Sequence, residues 1–217
     1  MLIGKLQNDR VNIITQLCVI QNMRIIGIIV LVLAVVFVVA QVISSRTTKN
    51  TEEHKYEVVK NYEGFEIRKY ESALFSYTVM EKGSYRELSG QGFRRLAGYI
   101  FGDNDKNQKI AMTTPVTMDM DDSVTMKFMV PKGIEVKDLP KPNNPNVKFE
   151  KEPEKTIAAI EFGGWATDEK IAEYTAKLKL LLAENEIEHI GKFSFLGYNP
   201  PYEMTNRRNE VVVEVEL

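Results

Sequence analysis

The side chains that most often act as nucleophiles, proton carriers or metal ligands are scarce in this chain. The sequence contains two histidines, His54 and His189, and a single cysteine, Cys18. Cys18 precedes a long apolar run, so the chain beyond that run can form neither a disulfide nor a thiolate metal site. No Ser-His-Asp or Cys-His arrangement can be assembled around two isolated histidines. The sequence therefore predicts a protein that is not an enzyme.

Two further patterns have the residue types of an ion site but not the spacing. Asp119, Asp121 and Asp122 lie close together, yet the glycine and the terminal glutamate of an EF-hand loop are missing. Gly163-Gly164 precedes a helical pattern, but no Gly-x-x-x-x-Gly-Lys sequence is present to bind phosphate. We interpret both patterns as turns and predict no metal site.

Composition and charge narrow the function classes further. The chain has 217 residues, a formal net charge of −2 and a pI near 5.9. This length accommodates one ordinary domain and an appendage, and the charge provides no broad positive field for nucleic acid. We predict one folded domain that does not bind nucleic acid.

The appendage is an apolar segment near the amino terminus. Every residue from 25 to 40 is apolar or glycine, and the run continues to 43, close to the roughly 20 residues that span a bilayer. It predicts a transmembrane or signal-anchor helix over 23–43. An extension without an assigned fold, 1–22, precedes it, and a polar, flexible linker, 44–55, follows.

Two properties of this segment stay open in the sequence. Arg24 before the run and the small residues at its end, Val38-Val39-Ala40, are also compatible with a cleaved signal peptide. Basic residues are balanced on the two sides, so charge does not set the orientation. By analogy with amino-terminal signal anchors, we expect a single-pass membrane protein whose carboxy-terminal domain is extracytoplasmic, in a periplasm or at a cell surface.

Beyond the linker, hydrophobic periodicity separates strands from helices. Alternation with a period of two predicts strands at 65–69, 73–80, 124–130, 157–162, 193–198 and 211–217. Helical spacing predicts two amphipathic helices, one through Phe93, Leu96, Ala97, Ile100 and Phe101, the other through Ile171, Tyr174, Leu178, Leu181 and Leu182. Gly102 is placed to end the first helix, and Thr167 to cap the second.

The order of these elements repeats along the chain. Each half reads as strands, a helix, a strand with a proline turn and a last strand, and Pro115 is taken as the equivalent of Pro200-Pro201. This order predicts an α+β fold. We expect a distorted antiparallel β-barrel from a duplicated strand-helix-strand unit, with two α-helices outside, over residues 56–217, preceded by the transmembrane helix.

Four motifs carry a resemblance to a known family. They are Phe-Glu-Ile-Arg-Lys-Tyr at 65–70, Gly-Phe-Arg-Arg-Leu-Ala-Gly-Tyr-Ile-Phe-Gly at 92–102, Lys-Ile-Ala-Met-Thr-Thr-Pro-Val at 109–116, and Gly-Tyr-Asn-Pro-Pro at 197–201 with Asn-Arg-Arg-Asn-Glu-Val at 206–211. Together, in this order, they resemble the SOUL haem-binding family. The resemblance implies a distorted β-barrel with two helices, non-covalent binding of haem or another porphyrin in an apolar cleft beside the first helix, and no established catalytic residues.

Haem needs an apolar slot, cations for its propionates and usually an axial ligand. Phe93, Leu96, Ala97 and Ile100 are the predicted wall of the slot, and Arg94 and Arg95 the predicted propionate contacts. The alternative is that this apolar stripe packs on the sheet and that the arginines are solvated. The full set of candidate binding residues is Arg68, Lys69, Tyr77, Phe93, Arg94, Arg95, Leu96, Ala97, Ile100 and Met112.

The axial ligand stays open. Some family members have histidine where this chain has Lys69, and an ordinary protonated lysine has no lone pair for iron. His54, in the predicted linker, and His189, past the second helix, both lie outside the matched motifs. Tyr77 or Met112 could serve, although such residues near a sheet are more often packing. The sequence therefore predicts porphyrin binding dominated by apolar contact.

Three functions follow from these observations. The leading hypothesis is a membrane-anchored tetrapyrrole-binding protein that carries, buffers or senses haem. The alternative is a membrane-tethered interaction or structural module that keeps the fold and has lost the ligand, with protein partners unknown. An enzyme acting on tetrapyrroles is a third possibility, for which the sequence offers no acid, base or nucleophile.

Overall fold

The computed structural model describes residues 21–41, 43, 50–120 and 123–216. The chain divides into two units, and the boundary follows Arg46. In the first unit, helix α1 (Gln21–Gln41) has a mean hydropathy of 3.0 and is long and apolar enough to cross a membrane, by length and composition. The described part of this helix includes Gln21 and Asn22, so the end of the predicted extension is helical. Residues 1–20 of that extension lie outside the described residues.

The folded unit begins earlier than the predicted linker boundary at residue 55. Strand β1 (Glu52–Glu53) pairs in parallel with β5 (Thr113–Thr114). The backbone N–H of His54 donates to the carbonyl oxygen of Thr114 at 3.0 Å, and only 8% of His54 is exposed. Residues 50–55 therefore belong to the fold and not to a linker, while 44–49 lie outside the described residues.

The other strands form one sheet of nine. They are β2 (Tyr56–Tyr62), β3 (Phe65–Tyr70), β4 (Ala73–Met80), β6 (Val116–Met120), β7 (Val124–Met129), β8 (Lys148–Glu152), β9 (Lys155–Gly163), β10 (His189–Gly197) and β11 (Arg208–Val215). Their order is β2-β3-β9-β11-β10-β6-β7-β4-β8, and all neighbours are antiparallel. The sheet curls into a half-barrel, which confirms the predicted α+β class.

Two helices complete the folded unit, and polar side chains define where both begin. Helix α2 (Tyr85–Ile100) starts with a capping box in which Ser84 and Glu87 each accept from the other's backbone N–H. Thr167 caps helix α3 (Asp168–Glu184), as predicted. The carboxylate of Asp168 also accepts from the backbone N–H of Tyr85 at 2.6 Å. The first turn of α3 thus stabilises the first turn of α2, where unpaired N–H groups and the helix dipole favour an anion.

The sheet order reveals an internal duplication. One repeat is β4-α2-β6-β7 and the other is β9-α3-β10-β11. In the sheet, β4-β7-β6 mirrors β9-β11-β10, and the repeats join where β6 pairs with β10. The strand before each repeat is exchanged, because β3 pairs with β9 and β8 pairs with β4.

The two proline segments are not equivalent in this duplication, contrary to the prediction. Pro115 directly precedes β6, whereas Pro200 and Pro201 follow β10. Because Val116 pairs with Gly197, both segments lie at the same end of two adjacent antiparallel strands. The two proline segments are therefore neighbours in space, but they do not occupy equivalent positions in the two repeats.

Both helices pack on one face of the sheet, which we call the outer face. Helix α2 contacts β4 and β7, and α3 contacts β9, β10 and β11. Large apolar side chains meet there in one core that includes Ile67, Met118, Phe128, Ile160 and Val211. The opposite face, which we call the inner face, carries a smaller apolar cluster and most of the buried charges.

Candidate functional site

The predicted slot beside α2 is closed by packing in this structure. Leu96, Ala97 and Ile100 are 0%, 6% and 4% exposed, and the ring centroid of Phe93 lies 5.4 Å from that of Phe128. A gap wide enough for a porphyrin would expose the side chains beside it. The apolar stripe of α2 therefore packs on the sheet, which is the alternative that the sequence left open.

The backbone of α2 approaches the sheet closely at Gly92. A Cβ atom at this position would lie 2.7 Å from Cε of Met80 and 3.1 Å from Sδ of Met126. Glycine thus lets α2 lie against β4 and β7 with two methionine side chains filling the space between them. Met112 is half-buried and packs against the same core.

The two predicted propionate contacts on α2 differ in their surroundings. Arg94 is exposed. Arg95 is half-buried, and its Nη1 lies 3.5 Å from Oγ1 of Thr78 and 3.4 Å from the carbonyl oxygen of Val79. Both distances exceed the usual range for a strong N–H to oxygen bond, so the guanidinium of Arg95 is held loosely against β4.

The remaining candidates lie away from α2. Arg68 points to the inner face, where its Nε lies 2.8 Å from Glu66 and its Nη1 2.8 Å from Glu210. Tyr77 is on the inner face too, two residues along β4 from Phe75, which contacts the groove described below. The ten predicted residues are therefore divided between the two faces of the sheet.

Lys69 is exposed and forms an ion pair with Glu154 at 2.7 Å. The hydrogen bond and the charge of Glu154 raise the pKa of Lys69. An ammonium with a raised pKa keeps its proton at neutral pH, so Lys69 has no lone pair for a metal.

A buried ionic network crosses the inner face. Glu210, 0% exposed, accepts from Arg68, from Arg208 and from the hydroxyl of Tyr198, the last at 2.8 Å. The guanidinium of Arg208 lies 3.9 Å from the centroid of the Tyr198 ring. Burial, then the charge of Glu210, raise the pKa of Tyr198 well above its usual value, so the phenol stays neutral and donates. All members of this network have partners, and it joins β3 and β11 to Tyr198, the residue that directly follows β10.

Beside this network, the inner face contains a groove of about 260 Å³. Its residues come from strands across the sheet, Glu152 on β8 and Tyr70 on β3 among them, so this face is inside the curl. We call it the inner groove. Its apolar lining includes Phe75, Ile157, Leu196 and Val212, and its polar lining includes His54, Tyr70, Asp119, Lys127, Glu152 and Lys155. The volume is just below the range of about 300–1,000 Å³ typical of small-molecule sites.

Four charged side chains of the inner groove pair with one another. Nζ of Lys127 lies 3.0 Å from Asp119 and 2.8 Å from Glu152, and Lys155 pairs with the second oxygen of Glu152. Although burial opposes the change, Asp119 and Glu152 raise the pKa of Lys127 above its usual range. Asp119 is thus a β6 residue in an ion pair, and not part of a solvated turn as predicted. Asp121 and Asp122 lie outside the described residues.

His54 is the functional candidate that sequence reasoning placed elsewhere. Its ring centroid lies 4.8 Å from that of Tyr70 and 5.5 Å from that of Phe75. Its Nε2 lies 2.8 Å from the carbonyl oxygen of Glu71. Burial lowers the pKa of His54, although the hydrogen bond to Glu71 opposes this, so the imidazole is neutral at pH 7. The surrounding Glu-Glu-His-Lys sequence is polar throughout, and its pairing with β5 is a distant contact that no local pattern reveals.

Tyr70 presents an unusual hydroxyl to the same region. The residue is 2% exposed, and its hydroxyl oxygen makes no hydrogen bond to any residue that the structure describes. Arg68 and Tyr198 lie near enough to influence its pKa, but not in hydrogen-bond geometry. Burial dominates and raises the pKa of Tyr70 to about 12. A buried phenol hydroxyl that makes no hydrogen bond lowers the stability of the fold, unless another group supplies the missing hydrogen bond.

Comparison with known sequences gives a family match and several relatives. The family model described as SOUL heme-binding protein matches residues 51–214. The chain is 29% identical over 155 residues to heme-binding protein 1 of Xenopus laevis, covering 68% of this chain and 81% of that protein. It is 31% identical over 156 residues to heme-binding protein 2 of Homo sapiens, covering 68% and 76%.

Comparison with solved structures bears on the fold alone. The crystal structure of the EcmrR C-terminal domain superposes with a TM-score of 0.57 at 10% identity, covering 74% of this chain and 98% of that domain. At such low identity, the two chains share the curled sheet with its helices, and no function follows from the likeness.

Proposed function

The chain belongs to the SOUL heme-binding protein family, and on that premise we propose that its folded unit binds haem or another tetrapyrrole non-covalently, as a carrier, buffer or sensor and not as an enzyme. The observation that carries the proposal is the family match over residues 51–214, which spans nearly the whole folded unit. Two relatives that carry the name heme-binding protein each align with 68% of the chain.

The chemistry of the described residues is compatible with such a ligand. A haem site needs an apolar surface for the ring, positive charge near the propionates and usually an axial donor. Arg94 and Arg95, with Phe93 between α2 and the sheet, remain the candidate contacts that follow from the family resemblance. Binding there requires α2 to move away from the sheet, because Leu96 and its neighbours are closed in the core.

A non-enzymatic role fits the side chains that the folded unit offers. Within the described residues, no cluster of three or more His, Cys, Asp or Glu side chains is arranged to hold a metal ion. The buried carboxylate of Glu210 is neutralised by two arginines and so is not available as a base.

We also propose that α1 anchors the folded unit to a membrane, with that unit on the extracytoplasmic side. The length and hydropathy of α1 support the anchor, and the orientation follows by analogy with amino-terminal signal anchors. A tethered binding unit outside the cytoplasm would meet tetrapyrroles at the membrane surface.

Titration with haemin tests the proposal. The full chain in lipid nanodiscs is titrated at micromolar concentration and the Soret absorbance is followed, with empty nanodiscs as the blank. A saturable change with one ligand per chain is expected. A featureless titration that matches the blank would refute haem binding.

A second candidate function is an interaction or structural module that has lost the ligand. The closed packing of Leu96, Ala97 and Ile100 and the ion-paired Lys69 favour it. A failed titration, together with a retained protein partner whose binding is unaffected by Arg94→Ala or Phe93→Ala, would favour this module.

A further inference from the structure

We infer that the folded unit contacts the lipid bilayer through one surface at the end of the sheet. This surface consists of Trp165, in the loop after β9, and of Tyr202 and Met204, in the loop after β10. We call it the loop surface, and its partner is the headgroup region of the bilayer. The inference rests on the proposed anchoring by α1 and adds a second, peripheral contact with the same membrane.

The three side chains of the loop surface are large and exposed. Trp165, Tyr202 and Met204 are 49%, 65% and 56% exposed. Arg207 joins the two loops, because its guanidinium lies 4.2 Å from the centroid of the Trp165 ring. Its Nη1 also donates to the carbonyl oxygen of Glu203, the residue between the other two, at 2.6 Å. Exposed apolar side chains grouped in this way mark a surface that contacts another molecule or a membrane.

Hydrogen bonds hold both loops in place. Asn209, on β11, donates from Nδ2 to the carbonyl oxygen of Gly164 at 2.8 Å, next to the tryptophan. In the other loop, Asn199 accepts at Oδ1 from the backbone N–H of Arg208 at 2.7 Å and donates from Nδ2 to Glu203 at 3.0 Å. The loop surface is therefore ordered before it meets a partner, so binding costs little conformational entropy.

The folded unit begins at the same end of the sheet as the loop surface. Oε1 of Glu53, on β1, lies 2.9 Å from Nη1 of Arg208, which directly follows the arginine that joins the two loops. Eight residues, 44–51, separate Ile43 from Glu52, and a chain of that length reaches at most about 30 Å. Anchoring by α1 therefore favours contact between the membrane and this end of the sheet over the opposite end.

The residue types of the loop surface suit a lipid interface. Tryptophan and tyrosine are enriched at the level of the lipid headgroups, because their rings are apolar and their N–H or O–H groups are polar. The charges near the tryptophan are mixed, with Glu169 and Lys170 adjacent in the first turn of α3. Apolar contact, and not attraction to anionic lipid, thus holds the surface, and neutral phosphatidylcholine is a sufficient partner.

The fluorescence of the full chain reports on the loop surface, because Trp165 is the only tryptophan in the sequence. The chain is placed in phosphatidylcholine nanodiscs with and without bromine on the acyl chains, and the two emissions are compared. Bromine quenches tryptophan at short range. We expect brominated lipid to lower the emission of Trp165. Iodide dissolved in the water should have little effect, although the residue is 49% exposed in the folded unit.

A second reporter shows whether any exposed ring of a tethered chain is quenched. Phe101, 62% exposed, ends α2. The first residue of that helix, Tyr85, is bonded to Asp168, close to the loop surface, and the 16 residues of the helix span about 24 Å. Phe101 is therefore far from the loop surface. Phe101→Trp in a Trp165→Phe background should be quenched by iodide and not by brominated lipid.

A double variant tests the other two side chains and keeps the natural reporter. Tyr202→Ser combined with Met204→Ser should keep the fold, because both residues are exposed, and circular dichroism checks this. The quenching of Trp165 by brominated lipid should be lost. Phe101→Ser is the matched control and should be quenched like the wild type.

The outcomes separate the inference from the proposed anchor. Emission of Trp165 that is quenched by iodide but not by brominated lipid would overturn the contact through the loop surface, even if the chain stays with the discs. Equal lipid quenching of Trp165 and of the reporter at residue 101, or unchanged quenching in the double variant, would overturn it too. A chain that separates from the discs on gel filtration refutes the anchor, and the inference falls with it.

Discussion

Nη1 of Arg68 lies 2.8 Å from Oε2 of Glu210, although β3 and β11 are not neighbours in the sheet. Strand β9 lies between β3 and β11. On the inner face, the β9 residue beside this ion pair is Ala159, which is 2% exposed. The small side chain lets the guanidinium reach across the strand. The pair therefore ties three strands of the inner face together, beside the inner groove.

Removal of the central carboxylate should destabilise the folded unit strongly. Glu210→Ala leaves Arg68 and Arg208 without their shared buried partner, and breaking a buried ion pair costs about 3–5 kcal/mol. Urea unfolding followed by circular dichroism measures this loss. Glu154→Ala is the matched control, because it removes only the exposed partner of Lys69 and should leave the midpoint unchanged. A loss for Glu210→Ala no larger than for the control would show that the network is not a stabilising contact.

The closed packing of α2 makes a separate prediction. Leu96 is 0% exposed, and a Leu to Ala change in a core costs about 2–5 kcal/mol, depending on how far the cavity collapses. Leu180→Ala, on α3 and 65% exposed, should leave the unfolding free energy nearly unchanged. Equal behaviour of the two variants in urea unfolding would mean that α2 stands off the sheet in solution, as the predicted slot requires.

The elements with a strong local pattern were predictable, and those that depend on distant contacts were not. Period-two alternation identified β4 at its observed ends, and the caps at Thr167 and Gly102 were predicted correctly. β2 was missed because it is an edge strand, and Val58 and Val59 are both exposed. β1 was missed because two charged residues form it by pairing with β5.

The same distinction explains the candidate site. An apolar stripe such as Leu96, Ala97 and Ile100 indicates that one face of the helix is buried. It does not indicate whether a ligand or the sheet covers that face. The sequence likewise could not show that His54 packs on Tyr70, because the curl of the sheet and the parallel pairing of β1 bring them together. A site formed by contacts between distant segments cannot be predicted from hydrophobic periodicity or from a sequence motif.

Two arginines on α2 test the ligand contacts that the family resemblance implies. If they contact the propionates, Arg94→Ala combined with Arg95→Ala should lower the haemin affinity by about tenfold or more, the scale of a charge-assisted contact removed from a site. Titration of this double variant in nanodiscs beside the wild type measures the effect. An affinity equal to that of the wild type would mean that the propionates do not contact these two arginines.

Acid should weaken the fold through His54. Its pKa in the folded chain is lowered by burial, so below about pH 6.5 the unfolded chain takes up a proton that the folded chain does not. The resulting stability is present above that pH and is lost as the pH falls from about 6.5 to the lower pKa of the folded chain. The charges of Lys155, Glu152 and Glu71 also act on the ring, but burial is the largest cause of the lowered pKa of His54. The free energy of unfolding is measured at pH 7.5 and pH 5.5 for the wild type and for His54→Gln. It should decrease more in the wild type between these two pH values. An equal decrease in both proteins would argue against a neutral, buried His54.

Helix α1 should behave as a membrane anchor. Its 21 residues have a mean hydropathy of 3.0, so the chain should stay with membranes after alkaline carbonate extraction. Val32→Arg together with Val36→Arg places two charges near the centre of the helix, each costing about 2.5–3.5 kcal/mol on insertion, and should release the protein to the soluble fraction. Val32→Leu with Val36→Leu is the control and should remain membrane-bound. Retention of the arginine variant would mean that another part of the chain attaches it. Digestion of the folded unit by protease added to intact cells tests the extracytoplasmic orientation, and protection from that protease would reverse it.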